Sequence, residues 1–225
     1  MSVKTAIKAS VKRQTTLALR ESVRRVSFEL RLSRLHCRGA KKALQLSKNA
    51  PVRLNLGCGP NPKDGWINID LFHSAADLQL DLREDWPFPE NSASYIYSEH
   101  VFEHFEFLLE VPHFLREALR VLRPGGVFDV VVPDTEAILK AYGDPAASYW
   151  STSKRWHPAW CHTELDRINY HFRQNGEHKY AWDAESLAWV LKEAGFTSIS
   201  QRDFDPLLDT EDRRFGSLYM LARKP

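Results

Sequence analysis

Apolar residues between Arg13 and Arg38 fall on two helical stripes. Leu19, Val23, Val26 and Leu30 recur at intervals of four, three and four. Leu17, Phe28, Leu32 and Leu35 make a second set, which at about 100° per residue lies on the opposite side. Arg13, Arg20, Arg24, Arg31, Arg34 and Arg38 gather between them, and neither Gly nor Pro interrupts the run. The pattern predicts one helix with two apolar sides and a basic edge. Gly39 to Pro51 is polar and Lys-rich and ends in the breaker Asn49-Ala50-Pro51. This divides the chain into an N-terminal arm, 1–50, and a body, 51–225.

The period then changes. Val52–Leu56 reads as a short strand that ends in Gly57-Cys58-Gly59-Pro60, where two glycines permit positive φ and close backbone approach. Trp66–Leu71, Ala76–Leu82 and Ser94–Ser98 read as three further strands. Leu108, Val111, Leu115, Leu119 and Leu122 then recur at helical spacing until Arg123-Pro124-Gly125-Gly126 stops them. Val127–Val132 is an apolar run broken only by Asp129, as suits a central parallel strand. Ala184–Ala194 reads as a helix stopped by Gly195, and Phe196–Ser200 with Ser217–Ala222 as a closing hairpin. The alternation predicts an α/β fold: a Rossmann-like, mainly parallel, seven-stranded sheet with helices on both faces, preceded by the basic N-terminal helix.

Charge sharpens the division. The net charge of +2 hides an arm with 13 Lys and Arg against 2 acids, +11, and a body with 18 basic against 27 acidic residues, −9. An acidic body repels phosphate and argues against a nucleic-acid substrate. No window of 18 apolar residues suggests a membrane span. The N-terminus lacks the apolar core of a secretory signal, and three widely spaced cysteines form no disulfide framework, so a cytoplasmic setting is expected. For the arm, four readings stay open: packing or homo-oligomerisation, peripheral contact with an anionic surface, organelle targeting, or a solvated tail.

In open α/β sheets ligands bind beyond the carboxyl ends of the strands. There the sequence places Gly57 and Gly59, then Asp70, Asp81, Ser98-Glu99-His100 and Pro133-Asp134. A glycine loop followed by acids at successive strand ends suits a nucleoside: glycines admit it close to the backbone, and a carboxylate accepts its ribose hydroxyls. A dinucleotide loop would read Gly-x-Gly-x-x-Gly and open a full helix. Here Gly-Cys-Gly-Pro-Asn-Pro leaves little room for a phosphate-facing helix, which favours a cofactor without phosphates.

These stretches resemble a class I S-adenosylmethionine-dependent methyltransferase over about residues 52–225. The resemblance is carried by Leu54-Asn55-Leu56-Gly57-Cys58-Gly59, Gly65-Trp66-Ile67-Asn68-Ile69-Asp70, Asp81-Leu82 and Trp86-Pro87-Phe88-Pro89. Ser98-Glu99-His100-Val101-Phe102-Glu103-His104, Leu122-Arg123-Pro124-Gly125-Gly126 and Glu193-Ala194-Gly195-Phe196 complete it. It implies that S-adenosyl-L-methionine is the cofactor. Gly57 and Gly59 would line its methionine moiety, Asp70 its ribose, and Asp81 with Leu82 its adenine. Glu99 and His100 would lie near the sulfonium, with Asn55, Cys58, Leu71 and Ser98 completing the cofactor set. Three positions depart from the family: Asn55 stands where an acid is usual, Asn61 where a third glycine is frequent, and Ser94 where Asp is common. They mark a subgroup with a clipped first helix, similar to methyltransferases linked with glycan pathways.

The expected reaction is methyl transfer from S-adenosyl-L-methionine to a small-molecule or glycan acceptor, at oxygen. A nucleic-acid methyltransferase guided by the arm and a non-catalytic scaffold are the alternatives. Methyl transfer to an alcohol requires alignment and a proton acceptor. His104 is one candidate for that base, although the reading in which Glu103 and His104 cap the helix and hold the loop is the stronger one. Residues 141–183, rich in Trp, Tyr and His, read as an acceptor lid in which His162 is the second catalytic candidate. His100-x-x-Glu103-His104 also matches an inverted zinc-protease motif, for which His157, His162 or His171 would have to supply a further ligand. Some methyltransferases hold a metal with a Glu-His pair at this place, but the motif also recurs without metal in the family resembled, and no metal is expected.

Overall fold

A computed structural model describes residues 15–49, 51–144 and 148–225. The expected helix start at Arg13, Ala50 of the breaker and 145–147 of the lid lie outside the described residues. Six strands form one sheet: β1 (Val52–Leu56), β2 (Ile67–Ile69), β3 (Ala93–Glu99), β4 (Leu122–Pro133), β5 (Thr197–Gln201) and β6 (Ser217–Arg223), in the order β2-β1-β3-β4-β6-β5. The first four are parallel, and β6 runs antiparallel between β4 and β5.

Register sorts the two faces. Leu54, Ile96 and Phe128 lie side by side, and one residue further so do Asn55, Tyr97 and Asp129. Successive side chains point to opposite faces. The first row joins Phe114 and Leu115 of helix α2 (Glu110–Val121) and Leu187 and Leu191 of helix α6 (Ala184–Ala194) in the main core. The second row is polar. Its face carries a small cluster of Tyr97, Val131 and Tyr219, packed by Trp66, Tyr95, Phe204 and Leu208, and no helix residue joins it among the described residues. Helices on both faces were expected. The ten residues between β1 and β2, with Pro60 and Pro62 among them, form no helix there.

Polar groups bind that second face together. Arg202 reaches Asp129 at 2.9 Å and Asp209 at 2.6 Å, while Tyr95 and Tyr97 donate to Asp129 and Asp209 at 2.8 and 2.9 Å. Both carboxylates are fully buried. The acid that interrupts the apolar β4 is therefore the inner anchor of this network. Burial, reinforced by Asp209, pushes the Asp129 carboxyl up to about 6 against the opposing pull of Arg202.

The seventh strand is the one the structure does not form. Ala76–Leu82 buries Leu78, Leu80 and Leu82 but makes only an isolated bridge, Ile69 to Leu78. The reason lies in the N-terminal helix α1 (Leu17–Leu46), which crosses this segment. Lys42 Nζ donates to the Asp77 carbonyl at 2.7 Å. A Cβ at Gly39 would lie 2.2 Å from the Gln79 carbonyl oxygen, so the helix backbone rests directly on the segment. Helix α1 thus runs through the stretch expected to be a polar boundary. Leu32, Gly39 and Ala43 are its buried positions, and Phe28 meets Phe72 at 5.7 Å. Of the stripe with Phe28 and Leu32, Leu32 is buried, Leu35 is half-buried and the partly exposed Phe28 leans on Phe72, whereas Leu17 and the whole Leu19, Val23, Val26 and Leu30 stripe are exposed. No described helix is long and apolar enough to cross a membrane.

After β4 come α3 (Thr135–Tyr142), capped by Asp134, then α4 (Tyr149–Ser153) and α5 (Glu164–Arg173). The aromatic residues of the expected lid divide three ways. Tyr180 and Trp182 pack on the main core, Trp182 stacking on Phe102 at 5.0 Å. Trp150 closes a local cluster with Ile138 and Ala141, and Trp156 and Tyr170 line a cavity.

Candidate active site

The loop after β1 and the end of β2 meet through backbone. Cys58 N donates to the Ile69 carbonyl at 2.9 Å, and Gly59 N donates to Asp70 Oδ2 at 3.0 Å. Asp70 Oδ1 accepts from Phe72 N and His73 N at 2.9 and 2.8 Å. The two glycines are both left-handed, at φ +64° and +50°, but serve different ends. A Cβ at Gly57 would fall 2.1 Å from Val101 Cγ2, so this glycine lets the segment after β3 pack onto the loop. At Gly59 nothing lies within 4 Å of the Cβ direction, and the backbone is open there. Burial, with Asp70 and Asp77 behind it, pushes the Cys58 thiol up to about 11, so it stays protonated.

Asn55, at the position where an acid was expected, is buried and donates to Asn68 Oδ1 at 2.9 Å and to the Asn61 carbonyl at 3.3 Å. Lys63 N donates to the same Asn68 oxygen at 2.7 Å. An amide supplies the donor that this oxygen needs, and a carboxylate would not. Asp81 has a partner within the chain. Arg83 Nη2 meets its Oδ2 at 2.7 Å and continues to Glu29 of α1 at 2.9 Å. Burial raises the Asp81 carboxyl, but the Arg83 hydrogen bonds and charge outweigh it and leave the pKa below its ordinary value. Leu71 is half-buried and Leu82 buried. Ser98 lies on the core face, with its hydroxyl buried and without a hydrogen-bond partner. Glu99, on the other face, is closed by Thr210, whose N and Oγ1 donate to it at 3.1 and 2.6 Å.

His100 begins a second region. It has φ +56°, and its Nε2 meets Ser217 Oγ at 2.8 Å. Burial, aided by the charge of Arg213, holds its pKa well below the ordinary imidazole value. With Trp156, His157, Tyr170, His171, His178 and Arg213 it lines a cavity of about 250 Å³ beyond the ends of β3 and β4. His157 donates from Nδ1 to the Ser153 carbonyl at 2.8 Å, which leaves Nε2 as an acceptor, and burial lowers its pKa. His171 is pushed down to about 4 by burial, then by His178 and His157.

Neither expected catalytic histidine lines this cavity. His104 turns the other way, with Nδ1 on the Glu177 carbonyl at 3.2 Å and Nε2 4.0 Å from Glu103 Oε1. His162 is exposed just ahead of α5, where its backbone N donates to Asp166 at 3.0 Å. Of the histidines that do gather, His157, His171 and His178 come from the 141–183 segment, and His100 joins them from the end of β3, a meeting that no local spacing signals.

A sequence model described as a methyltransferase domain matches residues 33–201. The chain belongs to the class I S-adenosylmethionine-dependent methyltransferase family. The match begins inside α1. No curated protein matches the sequence. Among solved structures, the chain is similar to one from the complex between the Haloferax volcanii Trm112 methyltransferase activator and a provisionally assigned methyltransferase: 18% identity, 86% of this chain and 91% of that one, TM-score 0.48. A Thermotoga maritima S-adenosylmethionine-dependent methyltransferase, a possible histamine N-methyltransferase, gives 16%, 90% and 97%, and 0.48. Human N-acetylserotonin methyltransferase, solved with S-adenosylmethionine, gives 17%, 83% and 0.46, and the match spans only 51% of that chain. The family assignment rests on the sequence match.

The residues of this methyltransferase domain fit a nucleoside cofactor at one end. Gly59 is open, and Asp70, half-buried beside it, has lone pairs left after three backbone amides. At the Asp81 end the fit is poorer, because Arg83 occupies both carboxylate oxygens.

Proposed function

We propose that this methyltransferase binds S-adenosyl-L-methionine at the Gly57–Gly59 loop and Asp70, and methylates a small-molecule or glycan acceptor at oxygen. The observation that carries the cofactor reading is the 3.0 Å bond from Gly59 N to Asp70, which sets an acid beside a bare stretch of backbone. When bound, the cofactor supplies the electrophilic methyl group. The chain must hold the acceptor in line and take its proton. The cavity past β3 and β4 suits the acceptor: Trp156 and Phe215, stacked on each other at 5.7 Å, and Tyr170 give it an aromatic lining against which a sugar or planar ring packs, and Arg213 offers a charge. His157 is the proton acceptor on this reading, because its Nδ1 is committed to a carbonyl and its Nε2 is free. That role replaces the one expected of His104.

A transfer assay with labelled cofactor and a panel of sugars and small alcohols tests the proposal. His157→Ala should reduce turnover at least about 100-fold, the usual contribution of a positioned base, with cofactor affinity intact. An equally active His157→Ala variant would remove it as the base. The exposed Leu19, Val23, Val26 and Leu30 stripe supports the companion reading that the arm joins two copies of the chain.

A further inference from the structure

Glu103 is a buried acid in the turn that follows β3. Its side chain is 2% exposed, and neither carboxylate oxygen has a hydrogen-bond partner. A buried, unpaired carboxylate is strongly unfavourable unless something compensates it. Three imidazole nitrogens stand around Oε1, all beyond hydrogen-bond reach: His100 Nδ1 at 3.6 Å, His178 Nε2 at 3.9 Å and His104 Nε2 at 4.0 Å.

The far side of each ring fixes its tautomer. His104 Nδ1 meets the Glu177 carbonyl at 3.2 Å, and His178 Nδ1 meets the His171 carbonyl at 2.6 Å. Carbonyls only accept, so both protons sit on Nδ1. His100 Nε2 meets Ser217 Oγ at 2.8 Å, and the Ser217 proton goes to the Arg213 carbonyl at 2.6 Å, so Nε2 of His100 is also the protonated atom. Three nitrogen lone pairs therefore face one carboxylate, and the arrangement lacks a positive charge at its centre. Ring N–H groups held by carbonyls are the usual outer support of metal-binding histidines.

We propose that Glu103, His104 and His178 bind one divalent transition-metal ion, and that zinc is the ion the donor set fits. Two imidazoles and a carboxylate suit zinc, whereas magnesium and calcium favour oxygen donors. The three ligand atoms lie within 4.8 Å of one another. Tetrahedral zinc, with bonds of about 2.0–2.2 Å, would bring neighbouring donors to about 3.3 Å, a contraction of some tenths of an ångström at each side chain. The scaffold is built for the meeting: Lys179 N and Tyr180 N both donate to the Glu103 carbonyl, at 2.8 and 3.2 Å, and strap His178 over the turn that carries Glu103 and His104. The His104 side chain is 36% exposed, which leaves an entry path and an open coordination position. The downstream ligand is thus His178, none of the three histidines that the sequence offered. The site stands independently of the methyl acceptor, although His100 and His178 also line the acceptor cavity.

The alternative occupant is a proton, shared between Glu103 and one imidazole. Metal analysis of the purified full chain and calorimetric titration of the chelator-treated chain with zinc separate the two. The proposal expects one zinc per chain, a higher melting temperature on zinc addition, and a tetrahedral cobalt spectrum on substitution. His178→Ala and Glu103→Gln should each weaken zinc binding by more than about 100-fold, beyond the 10–100-fold of losing an outer partner. His104→Ala, on the accessible side, decides the matter if a buried variant does not fold. Absence of stoichiometric zinc binding, or a His104→Ala chain that binds zinc as tightly as the parent with an unchanged cobalt spectrum, would overturn it.

Discussion

Gly57 and Gly59 share a left-handed conformation and differ only in what surrounds them, so alanine at each separates strain from contact. A non-glycine residue in that conformation costs about 1–2 kcal/mol. Gly59→Ala, with open space around its Cβ, should cost this and little more. Gly57→Ala adds a Cβ only 2.1 Å from Val101 Cγ2, well inside contact distance. Overpacking of that kind costs about 1–3 kcal/mol more, which gives roughly 2–5 kcal/mol in total. Val101→Ala should recover the overpacking part in the double variant, a coupling readable in urea-denaturation midpoints. The order reverses for ligand: Gly59→Ala, which fills the open side of the loop, should reduce S-adenosyl-L-methionine affinity more than it reduces stability. If Gly57→Ala were no worse for stability than Gly59→Ala, or if Val101→Ala gave no rescue, the division of labour between the two glycines would be wrong.

Three further outcomes follow from other parts of the molecule. Arg202→Met leaves Asp129 and Asp209 buried without their cation and should cost about 3–5 kcal/mol in the same denaturation assay, whereas a surface arginine such as Arg214 should cost little. Glu117 accepts from Trp86 N at 2.7 Å and pairs with Arg120. Burial raises its carboxyl, but these partners outweigh that, so its folded pKa lies below the ordinary 4.5. Its stabilising contribution is therefore complete above about pH 4.5 and is lost as pH falls through the lower folded value; Glu117→Gln should flatten that acid limb of stability against pH. Gly39→Val would drive a side chain into the Gln79 carbonyl and should lift α1, seen as faster hydrogen exchange and proteolysis across 17–46.

What the sequence reveals here follows how local the causes are. The Val52–Leu56 strand, the Ala184–Ala194 helix and the closing antiparallel pair are set by short-range period and glycine stops, and the structure forms them where the pattern puts them. Ala76–Leu82 has the apolar content of a strand, yet a helix more than thirty residues earlier contacts its backbone at Gln79 and Asp77, and no local pattern carries that information. The glycine loop and Asp70 were legible as a pair because both terminate neighbouring strands. The pairing of Asp81 with Arg83 and Glu29 was hidden, since it depends on where α1 lands. The helical spacing of His104 from His100 offers it as a base. The fold instead turns it toward Glu103, and His178 joins it there only because the 178–180 strap crosses the turn.

The central claim, a cofactor site built on the Gly59–Asp70 pair, is met most directly by isothermal titration of the full chain with S-adenosyl-L-methionine, alongside Asp70→Ala. One saturable site per chain, lost or weakened by about 10–100-fold in the variant as buried hydrogen bonds of roughly 1–3 kcal/mol are removed, is the predicted result. No binding by the parent chain, or equal binding by Asp70→Ala, would contradict it.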